Sequence, residues 1–258
     1  MGRDSCEAPF ISPATLRWLF LAVIVVVWEL VPRLGLVPSV MLAPASEAMI
    51  AGFQDFGTFA RALGITFGQL ASALIFAYGI GALAGLLLGS VYFLRETLLP
   101  IVSSIYAVPL VIVYPLLTAW VGIGPESKVI FGALYGFFPM ALSVAAGVQT
   151  VDRQYILAAR SMGARTSQIL FQIMLPASVP SILSGLRIGG AMTAIGVVVA
   201  EMMAATGGIG FLITQNRTMF NTAEVYFGIF LVLILTGLLD MFIRLMERCF
   251  TNWYPKET

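Results

Sequence analysis

Glu201 is the one acidic residue in the apolar run 178–204. An ionised carboxylate at mid-depth in a bilayer costs about 2.5–3.5 kcal/mol on insertion scales, so it must face a seam between subunits, a polar cavity or the outer interface. Two roles fit it: a gate or pathway group, and a structural group at a helix end. A second set lies in residues 98–120, where Pro100, Pro109 and Pro115 accompany Ser103, Ser104, Tyr106, Tyr114 and Thr118. Proline inside a membrane helix frees backbone carbonyls that need partners in protein or water. Ser103, Tyr106, Pro109 and Tyr114 therefore either line a pathway or mark a kink that only improves packing. Other chemistries are missing. There is no His, and Cys6 and Cys249 lie near opposite termini without ligand spacing, so no metal site and no disulfide is expected. No GxxxxGK[ST] loop occurs to cradle ATP phosphates, and no convergent carboxylate pair within the apolar runs suggests acid–base catalysis.

The elements that must hold these residues are apolar helices. The 258-residue chain is 59% hydrophobic and 10% charged, with a mean hydropathy of +0.96, too little polar surface to cover a soluble globule. A bilayer core about 30 Å thick needs roughly 20 apolar residues per helix, and residues 62–94, 97–125 and 129–151 contain no charge at all. An all-α integral membrane protein with six transmembrane helices is expected, at about 16–31, 62–93, 98–120, 129–150, 178–204 and 224–246. The first carries Glu29 and lacks a small-residue cleavage pattern, so it is read as an uncleaved span. Residues 43–59 place Ala48, Met49, Ile50 and Phe53 at helical spacing; an interfacial amphipathic helix and an ordinary loop helix both fit. Gly81, Gly85 and Gly89 recur every four residues, a stripe on which another helix can pack closely. Arg95 with Glu96, and Gly122, Gly124 and Pro125 with Glu126 and Lys128, read as turns. Asp240 and Arg244 have the spacing of a local ion pair on the sixth helix. The net charge of +1 gives no basic face for nucleic acid.

Six spans put both termini on one side. If that side is cytoplasmic it holds ten of the 14 Lys and Arg residues, Arg3, Arg17, Arg95, Arg153, Arg160, Arg165, Arg187, Arg244, Arg248 and Lys256. The other side holds Arg33, Arg61, Lys128 and Arg217. The positive-inside rule then places both termini in the cytoplasm, together with residues 152–176, the one long, charged, helix-forming stretch between two apolar spans. Residues 155–164 favour a helix, Gly163 suits the turn after it, and the apolar pattern through Ile169, Ile173 and Leu175 should stop or bend at Pro176. A short helix with small residues at its tip can enter a groove on a soluble partner. A plain surface helix joining two spans is the alternative.

Within this elbow, Ala158, Ala159, Gly163, Ile173, Leu175 and Pro176 are spaced as in the cytoplasmic EAA signature, and the chain resembles the permeases of binding-protein-dependent ABC importers. Pro109 with Tyr114, Pro115 and Leu116, then Gly122 to Gly124, Ser127 and Lys128, Phe137 to Pro139, Ala200 to Met202 and Gly208 to Gly210 resemble the branch importing nitrate, taurine and aliphatic sulfonates. The resemblance covers roughly residues 60–245. It implies a type I importer bundle with a cytoplasmic coupling helix, and two regions: residues 1–60 with the first helix and an external amphipathic loop, and a core of residues 61–250 that includes the elbow.

The resemblance further implies that the chain is a permease subunit and not an enzyme. It binds no cofactor itself, ATP and Mg residing on two cytoplasmic ATPase partners. A second permease copy, an extracytoplasmic solute-binding protein and the lipid bilayer complete the partners. ATPase coupling falls to Leu157, Ala158, Ala159, Arg160, Met162, Gly163 and Arg165. Leu157 stands where the signature has Glu, so a charge-assisted contact is replaced; a homodimer is expected, and a heterodimer with a permease that keeps the Glu is the other arrangement. The 207–210 turn either contacts the binding protein or is a plain turn. Small organic or inorganic anions and a neutral pyrimidine precursor both remain as solutes, and an ion-coupled secondary transporter is the competing class.

Overall fold

The computed structural model describes residues 12–251. Cys6, Arg3, Lys256 and the lead-in ahead of Ser12 fall outside the described residues, as does the side chain of Cys249. Among the described residues twelve α-helices run in order: α1 (Pro13–Arg33), α2 (Ala45–Gln54), α3 (Phe56–Ser90), α4 (Tyr92–Tyr106), α5 (Tyr114–Val121), α6 (Pro125–Gln149), α7 (Arg153–Ser161), α8 (Thr166–Ile169), α9 (Leu175–Ala177), α10 (Val179–Met203), α11 (Ile209–Thr218) and α12 (Thr222–Thr251). Among the described residues there is no strand. Five helices are long and apolar enough to cross a membrane, in α1, α3, α6, α10 and α12, and the bent pair α4 with Leu110–Val121 makes up to six.

That bent pair covers the third expected span, at 98–120, and it is broken at its prolines: the chain bends by 86° between Tyr106 and Leu110. Val108 precedes Pro109, and a residue before proline is pushed out of the α region; Pro109 itself is extended (φ −60°, ψ 101°) and leads into a 3₁₀ turn. Two polar turns are reassigned. Arg95 and Glu96 sit inside α4, paired Nε to Oε1 at 3.1 Å with the guanidinium over the Tyr92 ring, and Glu126 and Lys128 belong to the first turn of α6.

The chain divides into two compact units. The first comprises the described residues up to Phe56 with Ile213–Ile229. Glu29 of α1 accepts hydrogen bonds from both Ser46 Oγ (2.7 Å) and Ser46 N (3.0 Å) at the start of α2, and pairs with Arg33 at 2.6 Å. A carboxylate at a helix N-terminus satisfies free N–H groups and meets a favourable dipole. Trp28 Nε1 donates to Ala43 O, Tyr226 Oη to Met41 O and Thr222 Oγ1 to Val40 O. α2 buries Ala48 and Gly52, and a Cβ on Gly52 would lie 2.1 Å from the Phe227 ring. Ile50 and Phe53 point outward.

The second unit, Gly57–Leu212 with Phe230 onward, holds the core. Its central pair is α6 against α10, and small residues let the two backbones meet. Cβ atoms built on Gly136 and Gly132 would strike Thr193 Oγ1 at 2.0 Å and Val197 Cγ2 at 2.5 Å. On another face of α6, the Gly81, Gly85 and Gly89 stripe of α3 seats against Met140, Ala141, Val144, Ala145 and Val148. The expected close-packing role of that stripe is what the structure shows.

Candidate functional site

The elbow between α6 and α10 is built by capping. Asp152 Oδ1 accepts from Gln154 N at 2.9 Å and so caps α7, a contact typically worth about 1 kcal/mol. At the other end Gly163 turns left-handed (φ +80°), Gly163 N bonds Arg160 O and Ala164 N bonds Ala159 O, a closure that glycine reaches without steric cost. α7 therefore spans Arg153–Ser161, displaced toward its N-terminus from the expected 155–164, and its nine residues extend about 14 Å. Arg165 N donates to Gln168 Oε1 at 2.7 Å to start α8. A π turn at Leu170–Met174 and α9 come next, and the break that Pro176 announces comes at Ser178.

Of the residues assigned to coupling, Leu157, Ala158, Arg160, Met162, Gly163 and Arg165 are exposed, Met162 by 81%. Ala159 is 3% exposed and is the only buried residue of α7. It sits beneath the outward surface and supports it. Tyr155 adds a large exposed ring that the motif did not single out. Arg153, Arg160 and Arg165 against Asp152 give this exterior a positive surplus.

Glu201 lies at the far end of α10 from the elbow, two residues before the helix ends at Met203. It is 1% exposed. Thr66 Oγ1 of α3 donates to its carboxylate (2.8 Å to Oε1, 3.0 Å to Oε2), and Gly210 N in the first turn of α11 donates to Oε2 at 2.9 Å. Thr66 Oγ1 in turn accepts from Ile209 N at 2.9 Å. The carboxylate thus clamps α3, the end of α10 and the start of α11, and at that start the helix dipole favours negative charge. Gly208 is required twice over: its φ is +101°, and a Cβ there would lie 2.1 Å from Glu201 Oε1. Lys128, 3% exposed, caps Ile123 O and Gly124 O through Nζ and attracts the carboxylate. The carboxylate is thus buried and hydrogen-bonded at a helix end. Thr66 and Lys128 were not singled out as its neighbours; one reads as a small polar residue among glycines, the other as a turn charge.

The residues of the broken span are not gathered around one point. Ser103 Oγ closes back onto Leu99 O of its own helix, and Tyr106 stacks on Phe138 with ring centroids 5.7 Å apart. Pro109 is exposed at the bend. Tyr114 alone approaches the clamp: it is buried, its ring lies 4.8 Å from that of Phe131, and its hydroxyl donates to Ala204 O at 3.2 Å, just beyond the end of α10.

Helices long and apolar enough to cross a membrane, with a polar elbow between two of them, make an integral-membrane fold, and the solved structures agree on it. A chain of the inward-facing MetNI methionine ABC transporter superposes with a TM-score of 0.66 at 22% identity, covering 74% of this chain and 95% of that one. Residues 77–252 match the family described as binding-protein-dependent transport system inner membrane component, and the chain belongs to that family. The taurine transport system permease protein TauC of Escherichia coli K12 is 34% identical over 95% of this chain and 92% of its own length. A putative aliphatic sulfonates transport permease protein SsuC of Bacillus subtilis is 31% identical over 90% and 85%. The formylaminopyrimidine transport permease protein ThiX of Halalkalibacterium halodurans is 26% identical over 93% and 96%. Family membership removes the ion-coupled secondary transporter as the favoured alternative.

Proposed function

We propose that this permease forms the membrane pathway of an ATP-driven importer for a small sulfonate such as taurine. Two copies of the chain span the inner membrane with their termini and elbows in the cytoplasm, each elbow docked on one of two ATPases, and an extracytoplasmic solute-binding protein delivers the solute. ATP and Mg act on the ATPases. The observation that carries this reading is the elbow: a doubly capped helix that offers Tyr155, Leu157, Ala158 and Met162 outward from a rigid base at Ala159. Leu157 replaces a charge with apolar surface, so docking rests on burial of that ridge, with Arg160 and Arg165 supplying polar contacts to an acidic rim. Closure of the ATPases carries both elbows together and shifts the bundle between its openings, because contacts at the elbow differ between the two states. The sulfonate assignment rests on the relatives at 34% and 31% identity, and the spans offer such an anion helix ends and hydroxyls more than fixed charge. The ThiX relative supports a neutral pyrimidine as the second solute class.

The test is coupled uptake. Met162→Glu with Ala158→Trp places charge and bulk on exposed positions that no contact inside the chain needs. Uptake of labelled taurine should fall at least about tenfold and the ATPase should no longer copurify, the loss of a few kcal/mol of docking energy being sufficient. Permease abundance should be unchanged, and Leu157→Glu should keep coupling. Unaltered uptake and copurification in the double variant would sink the docking assignment. Saturable uptake of a labelled pyrimidine with none of taurine would select the second solute. Mass measurement of the complex should find one permease species.

A further inference from the structure

Arg187 of α10 and Arg244 of α12 share a single carboxylate. Arg187 Nε donates to Asp240 Oδ1 at 3.1 Å and Arg244 Nε to Oδ2 at 2.6 Å. The cluster keeps a surplus positive charge, and because both bridges run through Nε, the terminal guanidinium N–H groups are left to point elsewhere. The two arginine side chains are 45% and 51% exposed. Beside them α10 and α12 enclose a groove of about 260 Å³, lined by Arg187, Ala191 and Ile195 on one side and by Thr236, Leu239, Asp240 and Ile243 on the other.

The groove is charged at one end only, and the hydroxyl of Thr236 further along is bonded to Val232 O of its own helix. Arg187, Ala191 and Ile195 succeed each other at four-residue intervals, a stripe about 12 Å long on one face of α10. Arg187 lies eight residues inside the start of α10, so the charges sit toward the elbow end, about 12 Å from that start, and the apolar lining runs on toward the middle of the span. Arginine reaches a membrane face from such a depth by extending its side chain. A free anion would use the charges and leave the apolar stripe uncovered; a second copy laid over the groove would bury an unbalanced charge, which is costly. A phosphate with an acyl chain attached satisfies both halves, since guanidinium pairs bidentately with phosphate and basic pockets between membrane helices suit acidic headgroups.

We propose that this groove is a binding site for an anionic phospholipid, its phosphate held by Arg187 and Arg244 and the head of one acyl chain laid along Ala191, Ile195 and Leu239. Asp240 orients the two guanidinium groups and is not itself a ligand.

The full-length chain, purified with whatever subunits accompany it, would be exchanged with phosphatidylglycerol or phosphatidylcholine of identical acyl chains, and retained lipid counted by native mass spectrometry. Phosphatidylglycerol should be preferred, and each of Arg187→Gln and Arg244→Gln should lower that preference about fivefold, the effect of one basic residue near an anionic surface. Asp240→Asn separates recognition from packing. It breaks both ion pairs yet raises the local charge, so a site for phosphate keeps or strengthens its preference, whereas a purely structural triad fails as it does in the arginine variants. Equal retention of the two lipids, a preference unaffected by the arginine changes, or displacement of the lipid by millimolar inorganic phosphate alone would overturn the proposal, the last by showing a free-anion site.

Discussion

Replacing Glu201 with alanine is expected to destabilise the permease by about 3–5 kcal/mol, as removal of one member of a buried, hydrogen-bonded charged group does. Gly210 N loses its acceptor, and a buried donor left unpaired costs about 1–3 kcal/mol, while Thr66 Oγ1 loses its shortest bond and keeps Ala62 O at 3.2 Å. A void opens beneath Gly208 as well. Glu201→Gln should cost less, about 2 kcal/mol, because one amide oxygen can still accept while the amide nitrogen faces a donor. Thermal denaturation in detergent reads both, and Thr66→Val combined with Glu201→Ala should cost less than the two singles added. The opposing outcome is a Glu201→Ala protein that melts with the wild type and yet loses uptake. That would make the carboxylate a gate.

The second large effect belongs to the face between α3 and α6. A Cβ on Gly85 would lie 2.4 Å from Ala141 O and 2.7 Å from Val144 Cβ. The first of these is backbone, so no side-chain rotation relieves the clash and the helices must move apart. Gly85→Val should therefore cost at least about 3 kcal/mol, at the upper end for overpacking, and should lower the yield of folded protein from membranes. Gly79→Ala is the matched control: nothing lies within 4 Å of its Cβ position, so the change should stay within about 1 kcal/mol of neutral, in the direction of better helix propensity. Equal melting temperatures for the two variants would refute the close packing of α3 on α6.

Much of this was legible in the residues. Runs without charge locate the spans because burying an ion in lipid is costly, and a glycine every four residues marks a contact face because 3.6 residues complete a turn. Where reading failed, the missing information was tertiary. Lys128 reads as a turn charge, since nothing local says that two carbonyls just ahead of α6 will close over its ammonium. Arg95 and Glu96 suggest a turn by their polarity, although a neighbouring ion pair and the Tyr92 ring hold them comfortably within a helix. The depth of Glu201 depends on the chain folding back through Gly208, so that Gly210 and Thr66 reach it from positions nine and 135 residues away in sequence. The prolines of 98–120 do announce a disturbance; its size, an 86° bend, depends on which of them interrupts the helix. At the elbow the spacing identified the element, and burial then separated Ala159, which supports it, from Leu157 and Met162, which it presents.

The π turn at Leu170–Met174 bears on how the elbow is aimed. Such a turn carries one residue more than the α-helical path it replaces, so it absorbs a one-residue difference in length between α8 and α9. Deleting a single residue there would restore α geometry and leave the two flanking segments in phase, whereas the same deletion in an uninterrupted helix would swing everything ahead of it by about 100°. The bearing of the elbow is thereby held while its residue count is free to change by one.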